Sequence, residues 1–279
     1  MSARLETVPT TGTIDGIHWE RHGRIDAPAV LFSSGLGGSG RFWQPQAPAF
    51  TPDRSVVLYD HRGTGLSDRC LPDGWNGVAS LARDALSVAD GLGLERFDFV
   101  GHAAGGLAGL WLARHYPERM GKLVVVNGWA GPDPHITRCF EARLALLRLA
   151  GPLAYVRAQA LFLYPPDWIS ANDGALVGDE AALAADLPPL GVMERRIEAV
   201  LDFDMADALA DITVPCLIMA SRDDMLVPPA CSHRLARDLP RATLHLAPWG
   251  GHGFCHIDPA PFNAATLAFL APRAFLRKN

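Results

Sequence analysis

The residues whose types and spacing suggest chemistry begin with a glycine-rich turn at residues 101–106, GHAAGG. The spacing is that of a nucleophile elbow, G-x-S-x-G, in which a sharp turn between a buried strand and a helix exposes a serine. Ala103 occupies the serine position, and because alanine has no hydroxyl it cannot form an acyl-enzyme. The sequence therefore predicts an elbow without a nucleophile, so any chemistry there must come from neighbouring groups.

Asp224 and His252 are the neighbouring groups that the sequence predicts. Each follows an apolar segment of strand character, and the chain order of elbow, acid and histidine is the order used by serine hydrolases with this elbow. We prefer Asp224 to Asp223 because it stands four residues before Pro228. A carboxylate on one imidazole nitrogen fixes the tautomer and raises the basicity of the other nitrogen. His252, oriented by Asp224, is therefore the predicted general base.

Two backbone N–H groups are predicted to stabilise a developing anion. A glycine-rich turn at residues 33–39, SSGLGGS, supplies the first from Leu36, and Ala104, the residue after the elbow position, supplies the second. Residues 59–67, YDHRGTGLS, match the D-x-R-G-x-G-x-S loop that accompanies such sites, and we expect Arg62 to pack within that loop. His102 is expected to have a structural role.

Short apolar runs alternate with helical patterns along the chain, which is typical of a parallel sheet covered by helices on both faces. Strands are predicted at residues 16–22, 29–33, 55–60, 97–101, 122–127, 214–220 and 242–247. Helices are predicted at residues 78–92, 104–116, 229–239 and 259–270. With the motifs above, this pattern predicts the α/β-hydrolase fold: a mostly parallel sheet flanked by helices.

Residues 131–207 break the alternation and predict a helical cap, inserted into a core formed by residues 1–130 and 208–279. The segment holds helical stretches interrupted by prolines and glycines, and it is too long for an ordinary crossover. Trp129 at its hinge and Arg138 on its first helix are the candidate substrate-binding residues. Arg143 lies on the same helix. A solvated surface position is the default expectation for both arginines, and the alternative is that one of them points at an anionic substrate.

Composition restricts the partners and the location. The 279 residues suit one large α/β domain with an insertion, and a net charge of −5 gives no electrostatic case for nucleic acid or an anionic membrane. Five scattered cysteines and a polar start without an apolar signal segment predict a reduced, cytoplasmic protein. We expect no cofactor and no metal, a small-molecule substrate and no membrane association, and leave a homodimer open.

The elbow, the 60–65 loop and the 250–252 turn, together with cap segments such as residues 163–168, LYPPDW, resemble the RutD family of the Rut pyrimidine-utilisation pathway. The resemblance covers residues 28–265 and implies a carbamate or aminoacrylate hydrolase in uracil catabolism. Alanine at position 103 also fits that family, so it need not be an engineered inactivation. Two alternatives stay open: a non-catalytic binding protein on a hydrolase fold, and a serine esterase in which serine 103 has been replaced by alanine.

Overall fold

One eight-stranded sheet organises the molecule, in the order β1-β2-β4-β3-β5-β6-β7-β8. The computed structural model describes residues 9–271. The two ends of the predicted core, residues 1–8 and 272–279, lie outside the described residues. The strands are β1 (Thr10–Ile14), β2 (Ile17–Gly23), β3 (Ala29–Ser33), β4 (Ser55–Tyr59), β5 (Phe97–His102), β6 (Met120–Val126), β7 (Cys216–Ser221) and β8 (Ala242–Ala247). In this spatial order, the strands from β4 to β8 are parallel to one another, whereas β2 is antiparallel to both of its neighbours, β1 and β4.

Helices cover both faces of this sheet. They are α1 (Ala47–Phe50), α2 (Gly77–Gly91), α3 (Ala104–His115), α4 (Pro134–Leu163), α5 (Pro166–Asp186), α6 (Leu190–Leu201), α7 (Pro229–Asp238), α8 (Phe254–Ile257) and α9 (Pro259–Leu270). None of the helices between residues 9 and 271 is long and apolar enough to cross a membrane.

Alternate residues of the central strands enter two separate cores. In β3, Leu31 packs into the cluster that includes α2 and α3, while Val30 and Phe32 pack into the cluster on the opposite face with α1 and α9. All three side chains are fully buried. Because successive side chains of a strand point to opposite faces, a strand covered on both sides must be apolar throughout.

The sequence pattern predicted this architecture well. All seven predicted strands and all four predicted helices are present, with ends that differ by no more than two residues, and together they form the predicted mostly parallel sheet flanked by helices. The strand β1 was missed. Its sequence, TTGTI, is mostly exposed at the edge of the sheet, so it lacks the apolar character by which a buried strand is recognised.

Three helices, α4, α5 and α6, occupy the segment between β6 and β7 that was predicted as a cap. The strands on either side are direct parallel neighbours, with Leu123 opposite Cys216. The helix α4 is two helices joined at a kink, where Gly151 has φ 83° and ψ −178° and is followed by Pro152. This conformation is essentially restricted to glycine, and proline cannot continue the hydrogen-bond ladder. The exact boundary between cap and core stays a prediction.

Candidate active site

The candidate site lies at the carboxyl edge of the sheet. The loops after β3, β5, β6, β7 and β8 meet there because the carboxyl ends of parallel strands share one edge. They carry, in that order, Leu36, Ala103, Asn127, Asp224 and His252. Residues up to 216 positions apart along the chain are thereby brought to one place.

Ala103 has the backbone of a strained elbow. Its φ of 45° and ψ of −113° lie in a region that non-glycine residues rarely adopt. Hydrogen bonds hold the turn on both sides, from Ala103 N to Val126 O (2.8 Å) and from Gly105 N to Ser34 O (3.0 Å). A Cβ atom at Gly101 would lie 2.3 Å from Gly105 O, so only glycine allows the strand and helix to approach this closely. The elbow is built, but it presents a methyl group.

His252 and Asp224 form a buried pair. His252 Nδ1 donates a hydrogen bond to Asp224 Oδ2 at 2.8 Å, and both side chains are almost completely buried. The other carboxylate oxygen of Asp224, Oδ1, accepts from the backbone N–H groups of Leu226 (2.8 Å) and Val227 (2.9 Å). With Nδ1 occupied, Nε2 is the ring nitrogen left to exchange a proton with a substrate or water.

Asp223 has a different role from its neighbour. Its carboxylate accepts hydrogen bonds from Gly251 N (2.9 Å), Gly250 N (3.3 Å) and Ser221 Oγ (2.5 Å). Burial alone would raise the pKa of Asp223, but the hydrogen bonds from Ser221 and the two glycines lower it overall. Asp223 therefore fixes the loop that carries His252, while Asp224 contacts the imidazole itself.

The backbone of His252 is fixed by two side chains. His102 Nε2 and Asn127 Nδ2 both donate to the His252 carbonyl oxygen, at 2.9 Å and 2.7 Å. Burial lowers the pKa of His102 well below its usual value, and the adjacent His252 lowers it further, so His102 is a neutral donor. The structural role expected for His102 is thus to hold the backbone of His252 in place. Asn127 was missed by the sequence analysis, although a polar residue directly after a buried parallel strand is a recognisable signal.

The two N–H groups expected to bind an anion are in place and free. Neither Leu36 N nor Ala104 N has an acceptor within the described part of the chain. Ala104 N is the first N–H of α3, where the helix leaves its backbone donors unpaired and its dipole favours negative charge. Leu36 and Ala104 both line the cavity that His252 and Ala103 face.

This cavity has a volume of about 230 Å³ and lies between the strand ends and the cap helices. Trp129 lines it, as the sequence analysis expected, and is buried. Cap side chains form much of the remaining wall and are mostly apolar. They include Phe140, Tyr155, Val156, Leu163, Tyr164, Leu183, Leu187 and Met193.

The structure does not place Arg138, which the sequence analysis named as a substrate-binding candidate, at the cavity. Arg138 is exposed on the outer face of α4 and does not line the cavity. Arg143, five residues further along, is buried and does line it. Five residues turn the helix by about 500°, which places the two side chains about 140° apart around the axis. Only one of the two can face the cavity.

The loop after β4 is structural, as expected for Arg62. Asp60 accepts hydrogen bonds from Gly40 N (2.7 Å) and Leu66 N (2.8 Å) through its two oxygens. Arg62 forms ion pairs with Asp68 (3.0 Å) and Asp84 (3.4 Å). The hydrogen bond from Gly40 N connects this loop to the segment that follows the Leu36 turn.

Comparisons with known proteins agree with this fold. The sequence profile described as the alpha/beta hydrolase fold matches residues 28–152. A hydrolase structure from Pseudomonas aeruginosa PA01 superposes with a TM-score of 0.83 at 26% identity, covering 97% of this chain and 100% of that one. An enol-lactonase from Burkholderia xenovorans LB400 gives a TM-score of 0.80 at 23% identity, with 94% and 99% coverage, and shows the same fold.

Sequence relatives are much closer. A protein of Caulobacter sp. (strain K31), named "Putative carbamate hydrolase RutD", is 54% identical over 95% of this chain and 99% of its own. A protein with the same name from Stutzerimonas stutzeri (strain A1501) is 48% identical over 91% of this chain and 97% of its own. Identity of this degree over nearly the whole of both sequences makes the assignment plain: the chain belongs to the RutD family of hydrolases with the α/β-hydrolase fold.

Proposed function

We propose that the protein hydrolyses a C–N bond in a small substrate by general acid–base catalysis, with His252 as the acid–base group and without a covalent intermediate. The observation that carries this proposal is the buried His252–Asp224 pair (2.8 Å) in a cavity where Ala103 offers no nucleophile. The names of the relatives favour carbamate as the substrate. The resemblance to the RutD family supports a role for this reaction in pyrimidine (uracil) catabolism.

The proposed mechanism replaces the serine with water. His252 Nε2 takes a proton from water while the oxygen attacks the substrate carbon, and Asp224 stabilises the imidazolium that forms. The N–H groups of Leu36 and Ala104 stabilise the negative charge that develops on the substrate oxygen. His252 then returns the proton to the nitrogen as the C–N bond breaks, so that carbamate and water give ammonia and bicarbonate.

Carbamate also allows a shorter route, in which His252 acts as an acid. A proton delivered from Nε2 to the carbamate nitrogen makes it a neutral leaving group, and cleavage of the C–N bond then releases ammonia and carbon dioxide. Solvent reprotonates the imidazole for the next turnover. Both routes use the same proton site on His252 and the same Asp224 partner.

Aminoacrylate is the second candidate, and the size of the cavity favours it. A volume of about 230 Å³ greatly exceeds what the four non-hydrogen atoms of carbamate require. Aminoacrylate has six, and in 3-aminoacrylate, the isomer to which the uracil skeleton leads, the carboxylate lies at the opposite end from the amino group. Proton transfer to C2 gives an imine at C3, and addition of water to C3 followed by loss of ammonia gives malonate semialdehyde. His252 would move the proton in each step.

The rate acceleration that this site can provide matches what the two candidate substrates require. General acid–base catalysis by one positioned side chain contributes roughly 10²–10⁴-fold, less than a complete nucleophilic mechanism provides. Carbamate and aminoacrylate both decompose without a catalyst, so an acceleration of this size is useful. A binding protein would need neither the carboxylate on His252 nor the two free N–H groups, and their retention supports an enzyme.

The test is release of ammonia from carbamate and from aminoacrylate generated in situ, each measured against the spontaneous rate. We expect the wild-type protein to accelerate at least one reaction, and His252→Ala to return it to the spontaneous rate. His233→Ala, a change of an exposed histidine, is the matched control and should be fully active. If the wild-type protein accelerates neither reaction, the hydrolytic proposal is wrong and the binding alternative gains support.

A further inference from the structure

Arg143 is a buried cation without an acidic partner in the part of the chain that the structure describes. Its side chain is 3% exposed, and its recorded polar contact is from Nη2 to the hydroxyl of Tyr155 at 2.9 Å. The Nε donor is buried and has no acceptor. Because a guanidinium carries five N–H donors and a permanent charge, this environment leaves much of its capacity unused.

The other two buried arginines of the described chain have different partners, although the Nε of Arg196, like that of Arg143, has no acceptor. Arg54 forms an ion pair with Asp98. Arg196 donates to two backbone carbonyls, of Arg62 (2.9 Å) and Leu36 (2.8 Å), and contacts His61 Nδ1 at 3.2 Å. Neither lines the cavity, whereas Arg143 does. Arg143 is therefore the buried arginine of the described chain that both lacks an acidic partner and lines the candidate site.

The kink in α4 holds Arg143 in this position. In a straight helix Arg143 and Tyr155 would lie about 18 Å apart, because each residue advances the chain by about 1.5 Å. The kink at Gly151 folds the second half of α4 back, so that Tyr155 reaches the guanidinium. The Arg143 Cζ atom lies 5.2 Å, 5.1 Å and 5.7 Å from the ring centroids of Phe140, Tyr155 and Phe162. These aromatic contacts fix the guanidinium without neutralising it.

No acidic side chain that the structure describes at the cavity neutralises the positive charge of Arg143. Among residues 9–271, and apart from histidines, Arg143 and Asp186 are the charged residues that line the cavity. The Asp186 carboxylate is largely exposed and forms an ion pair with Arg69 at 3.3 Å. The Asp224 carboxylate is engaged by His252 and two backbone N–H groups. A buried charge is costly unless it is paired, so an anion bound in the cavity would supply the missing partner.

We propose that Arg143 is the anion-binding residue of this site and holds the carboxylate of the substrate. The inference rests on the proposed function, because it assigns the group that anchors the substrate beside His252. It defines the substrate class as small carboxylates, which includes both carbamate and aminoacrylate. Neutral amides and esters of the same size lack the group that Arg143 recognises.

The test uses propionate and propionamide, which have nearly the same shape and differ in charge. Neither needs to be turned over, so binding is measured directly by calorimetry or by NMR titration. We expect the wild-type protein to bind propionate at least about tenfold more tightly than propionamide, since charge-assisted hydrogen bonds are the stronger kind. Arg143→Gln should remove this preference, and Arg143→Lys should retain part of it. Arg138→Gln, on the exposed face of the same helix, should leave it unchanged.

Three results would overturn the assignment: no propionate binding to the wild-type protein, equal affinity for the two ligands, or an unchanged preference in Arg143→Gln. Circular dichroism establishes whether Arg143→Gln is folded. If it is not, Tyr155→Phe serves instead, because it removes the hydroxyl that positions Nη2 and should weaken propionate binding but not propionamide binding. An Arg143-dependent preference without any ammonia release would refute the proposed hydrolysis and leave the anion site standing.

Discussion

His252 Nδ1 lies 2.8 Å from Asp224 Oδ2, although 28 residues separate the two along the chain. The second oxygen of the same carboxylate accepts two backbone N–H groups, from Leu226 and Val227. One side chain thereby connects the loop after β7 to the imidazole after β8. A carboxylate with both oxygens engaged in this way holds the imidazole in one orientation and one tautomer.

Asp224→Asn should reduce the rate about 10²-fold or more while leaving the protein folded. The asparagine oxygen can accept from Leu226 N and Val227 N, but its NH2 group then faces His252 Nδ1. This favours the tautomer with the proton on Nε2, which cannot accept a proton from water. Steady-state ammonia release measures the effect. Asp223→Asn is the control, and a loss as large as that of Asp224→Asn would mean that the carboxylate on the imidazole is not the important one.

Ala103→Ser should create weak esterase activity and give little gain on the natural substrate. The elbow presents residue 103 to the same cavity as His252, so a serine there recreates a nucleophile–base pair beside the N–H groups of Leu36 and Ala104. A p-nitrophenyl ester should give a burst of p-nitrophenol, and the burst should disappear in the Ala103→Ser/His252→Ala double variant. A many-fold acceleration on carbamate would show that alanine is not the working residue.

Gly151→Ala should destabilise the cap. The added Cβ meets no atom within 4 Å, so the cost comes from the backbone alone, where φ 83° and ψ −178° disfavour alanine by about 1–3 kcal/mol. Urea denaturation measures the change in the free energy of unfolding. Gly174→Ala in α5 is the matched control. It has open space, no positive φ and a helical position, and should stabilise by about 0.5–1 kcal/mol. Equal effects of the two changes would refute the strained kink.

The free energy of unfolding should fall as the pH decreases from 7 to 5. Burial lowers the pKa of His61 and of His102 well below the usual value, so the folded protein keeps both imidazoles neutral. The unfolded chain takes up protons on them near pH 6.5. Their contribution is therefore complete above that pH and is lost below it, with a slope of at most about 1.4 kcal/mol per pH unit for each histidine.

Urea denaturation at several pH values tests this expectation. His61→Gln should reduce the slope of stability against pH, whatever its effect on stability at pH 7. His233→Gln, which changes an exposed histidine, should leave the slope as it is in the wild-type protein. A pH-independent free energy of unfolding between pH 7 and 5 would contradict neutral burial of the two imidazoles.

The sequence by itself determined the features that depend on local pattern. Apolar runs define strands covered on both faces, and the glycines around Ala103 allow a turn that other residues would obstruct. Since parallel strands place their carboxyl ends at one edge, the order of the motifs was sufficient to bring Leu36, Asp224 and His252 together. The edge strand β1 was not predicted from the sequence, because its residues are mostly polar and exposed.

Only the tertiary structure decided which residues complete the site. Arg138 and Arg143 have the same type and lie on the same helix, and nothing local distinguishes them. The difference arises from how α4 packs over the sheet and from the fold-back at Gly151, which brings Tyr155 to one arginine and leaves the other in solvent. Likewise, Asn127 and His102 meet at the His252 carbonyl through contacts that span 125 and 150 residues. Such contacts depend on the packing of whole elements, which sequence periodicity does not encode.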